Sequence, residues 1–122
     1  MAFALALDHV QLAGPRDCED EARRFFGGLL ELEELEKPES LRSRGGVWFR
    51  LGAHELHIGV EEPFASARKA HPAFRVPAEE LDALAERLTA AGEKVEWDGA
   101  LHPVRRFYTA DPWGNRIEIL AA

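Results

Sequence analysis

Apolar and polar positions alternate with period two along several stretches of the chain, and two longer stretches carry the period of an amphipathic helix. Residues 5–12, LALDHVQL, read as a strand with Val10 and Leu12 inward and His9 and Gln11 on the opposite face. The run GPRDCEDEARRFFGGLL reads as a turn, an acidic helix start, and a helix whose apolar stripe is Ala22, Phe25, Phe26, Leu29 and Leu30. Strands are expected at about 32–36, at 46–51 (GVWFRL) and at 54–60 (HELHIGV). Residues 61–70 follow neither period and read as a linker. HPAFRV, 71–76, is strand-like again, and PAEELDALAERLTAAG is a helix with Leu81, Leu84, Ala85 and Leu88 inward and Gly92 as its stop. KVEW, VRRFYTA and NRIEIL are three further strands, and the Asp111, Pro112 and Gly114 before the last of them have the order of a type I turn.

Each half is therefore strand, helix, three strands. An offset of 62 residues lays His71 over His9 and Gly114 over Gly52, which supports a duplicated module. The expected fold class is α+β: one domain of two βαβββ modules, module one at 1–60, a linker at 61–70 and module two at 71–122. A lone half of this size would bury its sheet poorly, so the modules are expected to pack together or to pair across a dimer.

Alternation also assigns the chemistry to a face. With the aliphatic positions taken as core, the opposite face holds His9 and Gln11 in the first strand, Trp48 and Arg50 in 46–51, and Glu55, His57 and Gly59 in 54–60. It holds His71 and Ala73 in 71–76, and Arg116 and Glu118 in the last strand. Three of the five histidines and two carboxylates thus lie on the non-core face of one kind of sheet. Imidazoles and a carboxylate suit a divalent first-row metal and leave coordination positions open for water or substrate. His54 and His102 fall at turns or strand edges and read as surface residues.

Composition narrows the partners. A hydrophobic content of 46% and a charged content of 30% are globular values. Fifteen basic against 22 acidic residues give a net charge of −7, which argues against nucleic acid and anionic membranes as partners. No apolar run approaches the roughly 20 residues of a membrane helix, and MAFALALDHV lacks the basic start of a signal peptide. The single cysteine, Cys18, suits a reducing cytoplasm. A place at the front of a helix can lower a thiol pKa, but with no motif nearby Cys18 reads as an idle thiol.

The segments LDHVQL, ELHIGV, HPAFRV and DPWGNRIEIL, in that order and spacing, resemble the vicinal oxygen chelate superfamily across essentially the whole chain. That group includes glyoxalase I, fosfomycin-resistance thiol transferases, extradiol dioxygenases, methylmalonyl-CoA epimerase and metal-free bleomycin-resistance proteins. The resemblance implies two modules whose mixed sheets curl around a cavity. It implies metal ligands at His9, His71 and Glu118. The fourth ligand of glyoxalase I-like members falls at Leu56, between Glu55 and His57, and His57 is the favoured substitute. A variant triad of His9, His57 and Glu118, with His71 behind it, is the alternative.

A divalent metal (Zn, Ni, Mn or Fe(II)) held in this way would stabilise an oxyanion as a proton leaves a neighbouring carbon. Glu118 or Glu55 is the natural base. Arg50, Arg105 and Arg106 are candidates for orienting an anionic substrate, and Trp48 and Trp113 for walling the pocket. The expected protein is a cytoplasmic homodimer, a metal-dependent lyase, isomerase or transferase acting on a small oxygen-rich molecule. A metal-free drug-sequestering protein is the rival, mildly favoured by the acidic charge if its ligand is cationic. An extradiol-type dioxygenase is a further alternative.

Overall fold

The computed structural model describes residues 2–121, which divide into two compact units between Phe64 and Ala65. Unit one holds β1 (His9–Gly14), α1 (Glu19–Ala22), β2 (Glu34–Leu35), β3 (Val47–Leu51) and β4 (His54–Val60). Its sheet has the order β1-β4-β3-β2, with β1 parallel to β4 and the other pairs antiparallel. Unit two repeats the plan with β5 (Ala73–Val76), α2 (Leu81–Ala90), β6 (Glu96–Asp98), β7 (Arg106–Ala110) and β8 (Arg116–Ala121), in the order β5-β8-β7-β6. The fold is thus α+β, two βαβββ modules in one chain.

Each unit buries one face of its sheet under its helix. In unit one the core is Leu12, Ala22, Phe25, Phe26, Val47, Phe49, Leu56 and Ile58. Phe25 and Phe26 meet edge-on with ring centroids 5.0 Å apart, and Phe49 packs against Phe26. In unit two Phe74, Leu81, Ala85, Leu88, Phe107, Ile117 and Ile119 do the same work. Each fully buried Leu, Ile or Phe contributes roughly 1.5–3 kcal/mol. Leu84, expected inward, is only half-buried.

Several boundaries differ from the periodic reading, for local reasons. The first strand begins at His9 rather than residue 5, because pairing with β4 starts at His9 opposite Glu55. Phe3, Leu5 and Leu7 are therefore exposed. The strand expected at 71–76 starts at Ala73, where its ladder with Glu118 begins. The first helix is α-helical only to Ala22 and continues as a π-helix over Arg23–Leu29. Phe25 and Phe26 are buried in it, and Leu29 and Leu30 are half-exposed.

Cys18 sits where the idle-thiol reading needs it. It precedes α1, but its thiol is buried against Gly14, and burial pushes its pKa up rather than down. Alkylation of native protein by iodoacetamide at neutral pH should be at least about tenfold slower than in denaturant, because the thiolate is the reactive form. Mass spectrometry of quenched samples reads the difference.

Candidate metal centre

In unit two the site begins with a turn. The Asp111 carboxylate accepts hydrogen bonds from the backbone N–H of Trp113 (3.1 Å) and Asn115 (2.9 Å) and from the Asn115 side-chain amide (2.7 Å). Gly114, at φ +89°, donates to the Asp111 carbonyl, so the expected turn forms and launches β8. Burial raises the Asp111 pKa, while the bonds from Asn115 and Trp113 oppose that shift. Trp113 sits half-buried within this turn, and its carbonyl accepts a hydrogen bond from Ser66.

Along β8 the side chains alternate, so Ile117 and Ile119 enter the core and Glu118 projects from the other face. The Glu118 N–H donates to the Pro72 carbonyl, which brings His71 alongside. His71 Nε2 lies 3.1 Å from Glu118 Oε1, and His71 Nδ1 lies 2.8 Å from the Lys69 carbonyl oxygen. A carbonyl only accepts, so Nδ1 carries the hydrogen and Nε2 turns its lone pair toward the carboxylate. Two acceptors face each other, and a cation between them, a proton or a metal ion, resolves the conflict.

The two donors, an imidazole nitrogen and a carboxylate oxygen, are of the kinds a divalent metal takes. Ligand atoms ~2.0–2.2 Å from a metal at tetrahedral or octahedral angles stand roughly 3 Å from one another. A histidine whose second nitrogen is pinned by a backbone carbonyl is the usual form of such a ligand. The other Glu118 oxygen accepts from Arg106 Nη1 at 3.1 Å, and Arg106 is held in turn by Asp98 at 3.2 Å. The Glu118 side chain is only 9% exposed, and Arg106 15%. Arg106, expected to orient substrate, instead clamps the carboxylate. For a divalent ion bound at this pair, Arg106→Ala should weaken affinity by roughly 10–100-fold, the usual effect of losing an outer partner of a ligand. Competition titration against a chelating dye measures it.

Sequence reasoning missed Tyr108. It lies opposite Glu118 in the β7–β8 ladder and meets the His71 ring edge-on with centroids 5.5 Å apart. Its alternation with Arg106 along VRRFYTA was the available signal. Arg105, on the other parity, leaves the face and pairs with Asp82 of α2 at 2.8 Å.

In unit one His57 is buried in a stack. Its ring lies 3.7 Å from Trp48, nearly parallel, and 4.1 Å from His9. Its Nε2–H donates to Glu55 two residues earlier on the same strand face, at 2.9 Å. The two rival residues of the fourth strand therefore bind each other, and Trp48 serves the stack. His9 Nδ1 is 2.8 Å from Asp8 Oδ2, a contact that lowers the Asp8 pKa. Arg50 is exposed beside Glu33 at 3.4 Å. His71 and Glu118 are thus brought together in unit two, and His9, His57 and Glu55 in unit one. Among the described residues, no group of three or more His, Cys, Asp or Glu side chains is arranged to hold a metal ion.

Comparison with solved structures decides the family. A protein described as a glyoxalase family member from Bacillus anthracis shares 46% sequence identity, with 99% of this chain and 98% of that chain covered and a TM-score of 0.92. The chain belongs to the glyoxalase family, within the vicinal oxygen chelate superfamily. The glyoxalase fold extends to more distant proteins. Lactoylglutathione lyase from Agrobacterium tumefaciens is 22% identical over 96% of this chain and 93% of that chain, with a TM-score of 0.74. A variant of the fosfomycin resistance protein FosX from Listeria monocytogenes, crystallised with Mn(II) and 1S,2S-dihydroxypropylphosphonic acid, is 21% identical over 98% and 94%, with a TM-score of 0.80. No family model and no curated protein matches the chain. No helix among the described residues is long and apolar enough to cross a membrane.

Proposed function

We propose that this glyoxalase-family protein is a metal-dependent enzyme, a lyase, isomerase or transferase acting on a small oxygen-rich molecule. The observation that carries the reading is the apposition of His71 Nε2 and Glu118 Oε1 at 3.1 Å, two acceptors with the Nδ1 hydrogen committed to the Lys69 carbonyl. The ligand set read from the sequence, His9, His57, His71 and Glu118, belongs to the proposal. Its least supported member is His57, whose Nε2 already donates to Glu55.

A divalent ion at this pair would supply Lewis-acid stabilisation of negative charge on substrate oxygens. The protein's own groups do the rest. Lys69 fixes the His71 tautomer, Arg106 and Asp98 hold the Glu118 carboxylate in place, and the low exposure of Glu118 keeps competing water scarce. The proton-accepting base is Glu118 or Glu55, as alternation along the strands suggested. The Mn(II) complex of the FosX variant supports the choice of a divalent ion, and a homodimer remains part of the proposal.

Protein purified without a histidine tag and dialysed against manganese, nickel, zinc or ferrous iron should retain about one ion per chain. It should then turn over one of methylglyoxal plus thiol, fosfomycin plus thiol, or a catechol. Protein that retains none of these metals would support the drug-sequestering rival instead.

A further inference from the structure

Unit two holds a cavity of about 430 Å³ lined by Arg68, Lys94, Glu96, Tyr108, Thr109 and Arg116, among others. Its volume is in the range of small-molecule sites. Its charge runs opposite to that of the chain: three cations and one carboxylate, in a protein of net charge −7. Glu96 is paired with Lys94 at 3.1 Å. No ion pair joins Arg68 or Arg116 to a carboxylate among the described residues, although Asp98 is near enough for the Arg116 charge to help lower its pKa. The Arg116 guanidinium instead lies over the Tyr108 ring, 3.8 Å from its centroid, which fixes its plane and leaves its N–H fork available to an oxyanion.

The position relative to the metal pair follows from the strands. Tyr108 is both a wall of the cavity and the residue opposite Glu118, with its ring against His71. Arg116 precedes Glu118 by two residues on the same face of β8, which is about 7 Å along the strand. A ligand anchored by its anionic group at Arg116 would therefore present atoms a few bonds away to the His71–Glu118 pair.

We infer that this cavity is an oxyanion subsite, in which Arg68 and Arg116 hold the carboxylate, phosphonate or phosphate of a small substrate. The inference names the substrate class for the reaction proposed above and rests on that reading only for the identity of the neighbouring metal. It also runs against a cationic ligand, which the overall charge had favoured.

Two-dimensional NMR titration of metal-free protein with methylphosphonate, acetate and ethylammonium tests it without any turnover. Saturable shifts should appear at Tyr108 and Arg116 with methylphosphonate or acetate, and the stronger of the two identifies the oxyanion geometry. Ethylammonium should shift nothing there. Arg68→Gln combined with Arg116→Gln should raise the dissociation constant at least tenfold, and Arg116→Lys should restore part of the affinity. Glu118→Gln should keep anion affinity within threefold while abolishing metal retention, so the two readings fail separately. Anion shifts confined to other surfaces, or affinity unchanged in a double variant whose spectrum is folded, would overturn the subsite.

Discussion

Glu118→Ala should yield a folded protein that no longer retains a divalent metal, with turnover reduced by roughly a thousandfold or more. The magnitude follows from scale: losing an outer partner of a ligand costs about 10–100-fold, and losing the ligand itself costs more. The variant also frees Arg106 from one of its two carboxylates, leaving Asp98 at 3.2 Å as its partner. Folding should survive for that reason, with a modest loss of stability. Glu118→Gln keeps the shape and one acceptor oxygen, and it separates charge from packing. Metal content by atomic emission and thermal melting of the same samples give both readouts. Wild-type metal content in a folded Glu118→Ala protein would remove Glu118 from the site.

The second large effect is structural. Gly46, just before β3, has φ +88°, and a Cβ there would stand 2.1 Å from the Ile58 carbonyl oxygen in β4. Gly46→Ala should destabilise the protein by roughly 2–5 kcal/mol, combining about 1–2 kcal/mol for the left-handed backbone with about 1–3 kcal/mol for a forced shift of neighbouring groups. At on the order of 4 °C per kcal/mol, the melting temperature should fall by about 8–20 °C. The shift would move β3 away from β4, where Trp48 lies opposite His57. The Gly46 N–H also donates to Glu19 at 2.7 Å and holds that carboxyl below its ordinary pKa. This contact stabilises the fold above the unfolded pKa of Glu19 and is lost as pH falls through the lower folded value. An acid melt of wild type against Glu19→Gln measures the contribution. A Gly46→Ala melt within 3 °C of wild type would contradict the strain.

Much of this was legible in the chain because a strand has a period of two. Ile117 and Ile119 define the core side, so Glu118 must share the other side with Arg116, and the same parity places Trp48 beside His57 and Arg106 beside Tyr108. Partners were not legible. Nothing in HELHIGV says that Glu55 satisfies His57, since both are chemically able to reach a metal. Nothing in VRRFYTA says that Arg106 turns to Glu118 and Asp98 while Arg105 turns to Asp82, because those choices depend on β6 and α2 arriving alongside. The direction of the Cys18 pKa shift was not legible for a related reason. A helix start lowers a thiol pKa only when solvent or charge reaches it, and this one is buried against Gly14. The π-helical stretch over Arg23–Leu29 was not legible, because a 3.6-residue template already places Phe25 and Phe26 on one apolar stripe.

Crystals grown with manganese and measured for anomalous scattering probe the claim most directly, since they locate the ion rather than count it. A peak is expected within about 2.3 Å of both His71 Nε2 and a Glu118 carboxylate oxygen. A well-ordered map with those two side chains bonded to each other and the ion elsewhere would contradict it.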